Sequence, residues 1–431
     1  MQKVAVIGAG YVGLVSAVCF AELGNRVICV DNDVGKIALL KKGHVPIYEP
    51  GLEALLKKNT ALKRLVFSGS IKEATIQSQV IFICVGTPPR DDGSADLSAI
   101  EKVAETIARS MTEYKVIVEK STVPAETGEK IKRTIAMNRT GGVAFDVVSN
   151  PEFLREGQAL IDTMHPDRIV IGVESKKAEK IMRALFKPIK APIIVTDIES
   201  AEIIKHASNS FLATKISFIN AVASVCEKVG ADVEKVALGM GFDKRIGKAF
   251  LQAGAGFGGF CFPKDLDAFI HLAHHKGYEF ELLKVVRKIN EGQKKLLVKK
   301  VEEALWIIKD KTIAVLGLSF KPDTDDIRCS VAIDVIRMLQ EAGAHIRAYD
   351  PKATAKARLR LEKVVFCKGP YEAIEKSNCL LIMTEWAEFR DLDFVRVKKL
   401  LRQPVIIDGR NMFEPAVMKK LGFVYKSFGR E

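Results

Sequence analysis

Apolar residues occur in this chain either as short, nearly continuous runs or as longer stretches at helical period, and in the first 150 residues the two kinds alternate. The runs are Lys3 to Ile7, Arg26 to Val30, Val80 to Val85, Lys115 to Glu119 and Ala144 to Ser149. Unbroken apolar runs of this length read as strands covered on both faces, so the alternation predicts a parallel sheet wrapped by helices. Arg168 to Gly172 and Pro192 to Thr196 extend that sheet. From Ser200 to Val229 the period becomes helical without Pro or internal Gly, with Ser200 the expected N-cap and Gly230 the expected residue just past the end. A helix of about 30 residues is ~45 Å long, and it is expected to connect domains. A second strand and helix series opens at Lys311, with strands at Thr312 to Leu316, His345 to Tyr349, Val364 to Phe366, Cys379 to Met383 and Val405 to Ile407. The expected fold class is therefore α/β, with two Rossmann-like doubly wound parallel-sheet domains joined by a long central helix. The expected boundaries are 1–198, 199–305 and 306–431.

Composition narrows the classes. At 431 residues, 48% apolar and 28% charged, the chain is globular and too long for one small module. Val4 to Leu23 is uncharged except for Glu22 and mostly apolar, which could pass for a membrane anchor, but glycines 8, 10 and 13 interrupt it at the spacing of a phosphate-binding turn. No membrane association is expected. The excess of 66 Lys and Arg over 53 Asp and Glu leaves a net charge of +13. These bases are scattered in pairs such as Lys41-Lys42 and Lys299-Lys300, without a nucleic-acid-binding signature, so the expected anionic partner is a small molecule and not nucleic acid. Eight cysteines lack any C-x-x-C pair and lie mostly in apolar runs, the usage of reduced thiols in a cytoplasmic protein. Seven of them are expected to be buried and structural; neither disulfides nor a metal site is expected.

Three segments carry chemistry. Gly8-Ala-Gly10-Tyr11-Val12-Gly13 follows a strand and opens a helix, and Asp31 ends the next strand. The glycines admit a pyrophosphate to the helix N-terminus, while Asp31 suits a ribose and repels a 2′-phosphate, which favours NAD. Gly254-Ala-Gly256-Phe-Gly258-Gly259-Phe-Cys261-Phe-Pro263-Lys264-Asp265 places a cysteine after a loop able to follow a ligand closely and at the start of a helix, beside a lysine. Both neighbours stabilise a thiolate, so Cys261 is the expected nucleophile. Glu202, Lys205 and Asn209 share one face of the long helix. Lys205 and Asn209 could stabilise an oxyanion; alternatively Glu202 and Lys205 simply pair on the helix surface.

Together with Pro46-Ile-Tyr-Glu-Pro-Gly-Leu52, Val85-Gly86-Thr87-Pro88, Ser121-Thr122-Val-Pro124, Asn150-Pro-Glu-Phe-Leu-Arg-Glu-Gly157, Phe211 to Phe218, Phe320 to Arg328 and Asp408-Gly-Arg410, these motifs span nearly the whole chain. In number and order they resemble the nucleotide-sugar dehydrogenases, the UDP-glucose/GDP-mannose dehydrogenase family. The resemblance implies an NAD-dependent enzyme with an N-terminal NAD-binding domain, a central helical dimerisation region and a C-terminal UDP-binding domain. It implies a four-electron oxidation of a primary alcohol to a carboxylate, in which Cys261 adds to the aldehyde, the thiohemiacetal is oxidised again, and the thioester is hydrolysed.

Carried over residue by residue, Lys205 and Asn209 stabilise oxyanions, Glu152 and Thr122 serve proton relay and the hydrolytic water, and Asp265 binds or activates a water. Either Lys205 or that water is the first base. The cofactor-side matches are the dinucleotide turn with Asp31, Lys36, Gly86, Thr87, Thr122, Glu156, Lys264 and Arg328. The substrate-side matches are Glu152, Phe153, Leu154, Arg155, Lys205, Asn209, Phe250, Leu251, Gln252, Ala253, Gly254, Gly258, Lys321 and Arg410, with Arg245 reaching a neighbouring subunit. Phe250-Leu251 and Arg245-Ile-Gly247 resemble the branch that oxidises UDP-glucose to UDP-glucuronate; UDP-N-acetylhexosamine and GDP-mannose are the alternatives. The resemblance also implies a homodimer or higher homo-oligomer through the long helix. Three places depart from the family pattern: Phe260 for Ser, the pair Cys329-Ser330 for an acidic-small pair, and Ala221 for Glu. A non-catalytic nucleotide-binding sensor is the reading from a different class, and the complete set Cys261, Lys205, Asn209 and Glu152 argues against it.

Overall fold

A computed structural model describes residues 1–90 and 92–430. Its strands are β1 (Lys3–Ile7), β2 (Arg26–Val30), β3 (Leu65–Ser68), β4 (Val80–Ile83), β5 (Lys115–Glu119), β6 (Phe145–Ser149), β7 (Ile169–Val173), β8 (Ile193–Thr196), β9 (Thr312–Leu316), β10 (His345–Tyr349), β11 (Val364–Phe366), β12 (Cys379–Ile382), β13 (Val405–Asp408) and β14 (Val424–Lys426). The first eight form one sheet in the order β3-β2-β1-β4-β5-β6-β7-β8, and the last six another in the order β11-β10-β9-β12-β13-β14. Pairing is parallel throughout except between β6 and β7. The expected doubly wound architecture is present, with two additions. β3 and β14 are edge strands of four and three residues whose side chains alternate between buried and exposed, so neither has an unbroken apolar run to reveal it.

The chain divides into two compact units, residues 1–208 with 267–277, and residues 209–266 with 278–431. In the first, Leu14, Val18, Phe20 and Phe82 build the core on one sheet face, and Ile81, Ile83, Ile107 and Ile117 build it on the other. In the second, Leu297, Val301, Val315, Ile336 and Leu339 lie on one face, and Leu316, Leu380, Ile382, Phe389 and Ile406 on the other. Burial on both faces explains why the central strands read as unbroken apolar runs. Among the described residues no helix is long and apolar enough to cross a membrane.

The long helix spans Ile198–Val229. Its cap is Asp197 in place of the expected Ser200: the Asp197 carboxylate accepts from the Ser200 backbone N–H at 2.7 Å and from its hydroxyl at 2.9 Å. Aspartate wins because its fixed charge also complements the N-terminal dipole. Gly230 ends the helix at φ +70°, as expected.

Candidate active site

In the first unit the Gly8 to Gly13 turn joins β1 to the helix Tyr11–Glu22. A side chain at Gly13 would lie 1.9 Å from the Gly8 carbonyl oxygen, so close packing of turn on helix requires glycine there. A Cβ on Gly10 would meet nothing within 4 Å, leaving that face of the helix N-terminus open to an approaching phosphate. Asp31 closes the turn by accepting from Ala9 N at 2.8 Å and from Lys36 Nζ at 2.9 Å. Burial pulls its carboxyl upward, but the Asp33, Lys36 and Ala9 donors outweigh burial and hold it below the usual range. β1 and β4 are adjacent in the sheet although the chain visits two other strands between them, and their carboxyl ends are the switch point where such sheets bind nucleotides. There Thr87 Oγ1 donates to Thr122 O at 2.9 Å and Ser121 Oγ to Val85 O at 2.8 Å, tying Gly86-Thr87 to the Thr122 segment. Glu49 lies in the matching Pro46 to Leu52 motif but carried no assigned role: Tyr11 Oη donates to it, and Gly157 N donates to it at 2.7 Å, anchoring the turn after Glu156.

Glu152 and Lys205, both buried, form an ion pair at 3.0 Å, and the other Glu152 oxygen accepts from Leu154 N at 2.8 Å. The pairing alternative for Glu202 and Lys205 is not what forms: Glu202 turns away and accepts from the Glu126 and Gly128 backbone N–H groups. Phe153 packs under the Arg168 guanidinium, 3.6 Å from the ring centroid. Arg155 is exposed and its guanidinium is held by Asp162 at 2.7 Å.

In the second unit Cys261 is the first residue of the helix Cys261–His275, and its side chain is exposed. One turn on, Asp265 is buried, pairs with Lys264 Nζ at 2.7 Å and accepts from Asn209 Nδ2 at 2.6 Å. Lys264 pairs with Asp265, and Cys261 opens the helix whose N-terminus favours a thiolate. The glycines before Cys261 are also required by packing. A Cβ on Gly258 would lie 2.3 Å from Cys329 O. Asn220 accepts from Gly254 N at 2.8 Å, and Asn290 accepts from Phe257 N and donates to Phe257 O. Both amides escaped the sequence reading; their signal was a polar residue at a core position of an apolar helix.

Phe260, the departure from Ser, lies beneath two cations, Arg328 at 4.3 Å and Lys264 at 5.6 Å from the ring centroid. Cys329 corrects the expectation of seven buried thiols. It is exposed and held at φ +49°, with its carbonyl oxygen packed against Gly258. Arg410 spends its guanidinium on the Met383, Gly256 and Phe320 carbonyls at 2.8, 3.0 and 3.3 Å, stapling this loop to the sheet. Phe250 is at φ +66°, Leu251 and Ala253 are buried, and Gln252 is exposed. Arg245 projects outward, held by Asp243 at 2.6 Å, and Lys321 lies 5.8 Å from the Phe320 ring.

The second sheet has no equivalent open turn. Asp350, placed after β10 as Asp31 is after β2, is buried and accepts from Leu318 N, Ser319 N and Trp386 Nε1, so the loop after β9 folds onto its own acid. One dinucleotide turn and one sheet of the same winding without it describe a dinucleotide-binding domain beside a second domain of a different use. The chain belongs to the UDP-glucose/GDP-mannose dehydrogenase family: the models of its NAD-binding, central and UDP-binding domains match residues 2–190, 199–292 and 314–415. Its cofactor is NAD. The chain is 51% identical over 431 residues to the UDP-glucose 6-dehydrogenase TuaD of Bacillus subtilis, covering 100% of this chain and 94% of that one. Among solved structures, a UDP-glucose dehydrogenase from Pyrobaculum islandicum superposes with a TM-score of 0.93 at 40% identity, covering 99% and 97% of the two chains. A UDP-D-ManNAc dehydrogenase from Pyrococcus horikoshii gives 0.88 at 29%, covering 99% of each.

Proposed function

We propose that this protein oxidises UDP-glucose to UDP-glucuronate with two NAD per turnover. The observation that carries the chemistry is an exposed thiol on the first residue of a helix, with a buried carboxylate one turn along that fixes Asn209. The open face at Gly10 and the Asp31 carboxylate fit the pyrophosphate and ribose of NAD. NAD, when bound, accepts the hydride in both oxidations.

The residues of the chain do the rest. The helix N-terminus favours the Cys261 thiolate, whose sulfur adds to the C6 aldehyde and retains it as a thiohemiacetal. After the second oxidation the thioester is cleaved by water, which releases the carboxylate and returns the thiol. The Lys205 ammonium and the Asn209 amide stabilise the oxyanions. Glu152, on Lys205, takes the proton of the hydrolytic water, with Thr122 in the relay. Lys264 and Arg328 serve the cofactor, and Lys321 and Arg410 serve the nucleotide half of the substrate.

The protein acts as a homodimer in the cytoplasm, without nucleic-acid or membrane partners. In support of the dimer, Phe211, Phe218 and Val225 repeat every seven residues along the long helix and are 64%, 50% and 58% exposed.

The test is the ratio of NADH formed to UDP-glucose consumed, measured with a hydrazine reagent present. Two NADH and no trapped aldehyde are expected. A ratio of one would show a simple alcohol dehydrogenase. Activity confined to UDP-N-acetylhexosamine or GDP-mannose would move the substrate, and a flat trace with all three would favour the sensor.

A further inference from the structure

We infer that Glu202 and His206 are positioning residues that lock the 121–128 segment to the long helix and thereby hold Thr122 in place; this rests on the role given to Thr122 above. Glu202 is buried, and its two carboxylate oxygens divide the work. Oε2 accepts from Glu126 N and Oε1 from Gly128 N, each at 2.7 Å. These N–H groups belong to the N-cap residue and the first turn of the helix Thr127–Asn138, where no intrahelical acceptor exists. One helical turn further, the buried His206 donates from Nε2 to Val123 O at 2.6 Å. The segment that follows Thr122 is thus gripped at Val123, Glu126 and Gly128 by two residues of the long helix, and Lys205 lies between those two residues in sequence.

Two backbone features show that this grip selects a conformation. Glu126 is held at φ +73°, a left-handed state that a residue with a side chain keeps only where its surroundings impose it. A Cβ on Gly128 would lie 2.5 Å from Ile198 Cγ2 and 3.4 Å from Glu202 Oε1, so the two helices meet at a point only glycine allows.

The grip depends on charge. Of the titratable groups, Glu199 on its own helix and Glu119 at the end of β5 act on Glu202 through their charge, while the neighbouring Glu126 carboxylate is turned to Lys276 at 2.5 Å. Burial lifts Glu202 to about 7 despite its two N–H donors, and Glu199 pushes the same way. Below that pH the carboxyl is neutral, its hydroxyl is a poor acceptor, and one of the two amides loses its partner.

The test compares Glu202→Gln, His206→Ala and His206→Gln with the wild type by steady-state kinetics from roughly pH 5.5 to 9. Hydrogen exchange over residues 119–130 is followed in parallel. Glu202→Gln puts an amide donor against a backbone donor. Faster exchange in 121–128 is expected, with kcat down about ten- to hundredfold as for a small misplacement, the UDP-glucose KM within about twofold, and the acid limb of kcat near pH 7 gone. His206→Ala should loosen the same peptide, and His206→Gln, which keeps a donor, should restore much of the loss. Unchanged exchange with an unchanged pH profile would overturn the proposal. So would a uniform rise in exchange across the whole protein, which would mark Glu202 as a general stabiliser. A wild type that makes no NADH from UDP-glucose would refute the functional reading instead, while the exchange measurement still decides whether the lock exists.

Discussion

Cys261 differs from the buried cysteines in its exposure and in its place at the start of a helix. Cys19, Cys29, Cys84 and Cys379 are buried, and burial pushes their thiols up, to about 12 for Cys19 and Cys84. Cys261→Ser should lower turnover on the order of 10³-fold or more, since a neutral hydroxyl is a poor nucleophile. Calorimetry should find NAD and UDP-glucose binding intact; near-normal turnover would make the thiol structural. Glu152→Gln keeps the shape but cannot take a proton, a loss worth about 10² to 10⁴ in rate. A burst of up to two NADH per site should precede a stall, with the acyl adduct visible in the intact mass. Slowed first-turnover oxidation without an adduct would move Glu152 to the oxidation steps. Because Glu152 is also the buried partner of Lys205, the variant should melt earlier, by up to about 3–5 kcal/mol. Of these residues Cys261 was legible from its glycine-rich approach. The partners of Glu202 and Asp265 were not, since a hydrogen bond across 56 or 74 residues leaves no local pattern.

At the scale of elements, β5 ends on a carboxylate sealed inside the sheet. Glu119 accepts from Ser149 Oγ at 3.0 Å, and burial, reinforced by the Glu202 charge, raises it well above its ordinary value. For an acid whose folded value exceeds its unfolded value, the folded state holds the extra proton. The contribution to stability is therefore full at low pH and is lost as pH rises from about 4.5 through the folded value. Thermal melts of wild type should fall between about pH 5 and 8, and Glu119→Gln, which mimics the protonated form, should flatten that slope. A parallel slope in the variant would show that Glu119 is not the group responsible. The central strands were readable because both their faces are buried. β3 and β14 were not, because an edge strand with one wet face carries half the signal.

For the molecule as a whole, the two sheets share a winding but differ in the acid after their second strand. Asp31 closes an open turn, whereas Asp350 is consumed by its own loop. Asp31→Ala should weaken NAD binding and spare UDP-glucose, and Lys321→Ala should do the reverse; calorimetry with each ligand separates them. If both variants lost the same ligand, the division of labour would be wrong. Phe218→Glu, which charges the middle of the exposed apolar repeat, should cost about 2 kcal/mol or more of association and shift the sedimenting species from dimer to monomer. An unchanged species would place the interface elsewhere.

The sequence by itself determined the α/β class, the long helix, the dinucleotide turn and the cysteine at a helix start. Each of these is written in neighbouring residues, through the period of apolar positions or the spacing of glycines. Only the tertiary structure decided that Asp197 caps the long helix, that Lys205 pairs with Glu152 and leaves Glu202 to the Thr127 helix, and that Arg410 staples a loop by its carbonyls. Those outcomes are competitions among donors and acceptors far apart in the chain. Burial settles them by making an unpaired polar group costly, and no local pattern records which partner wins.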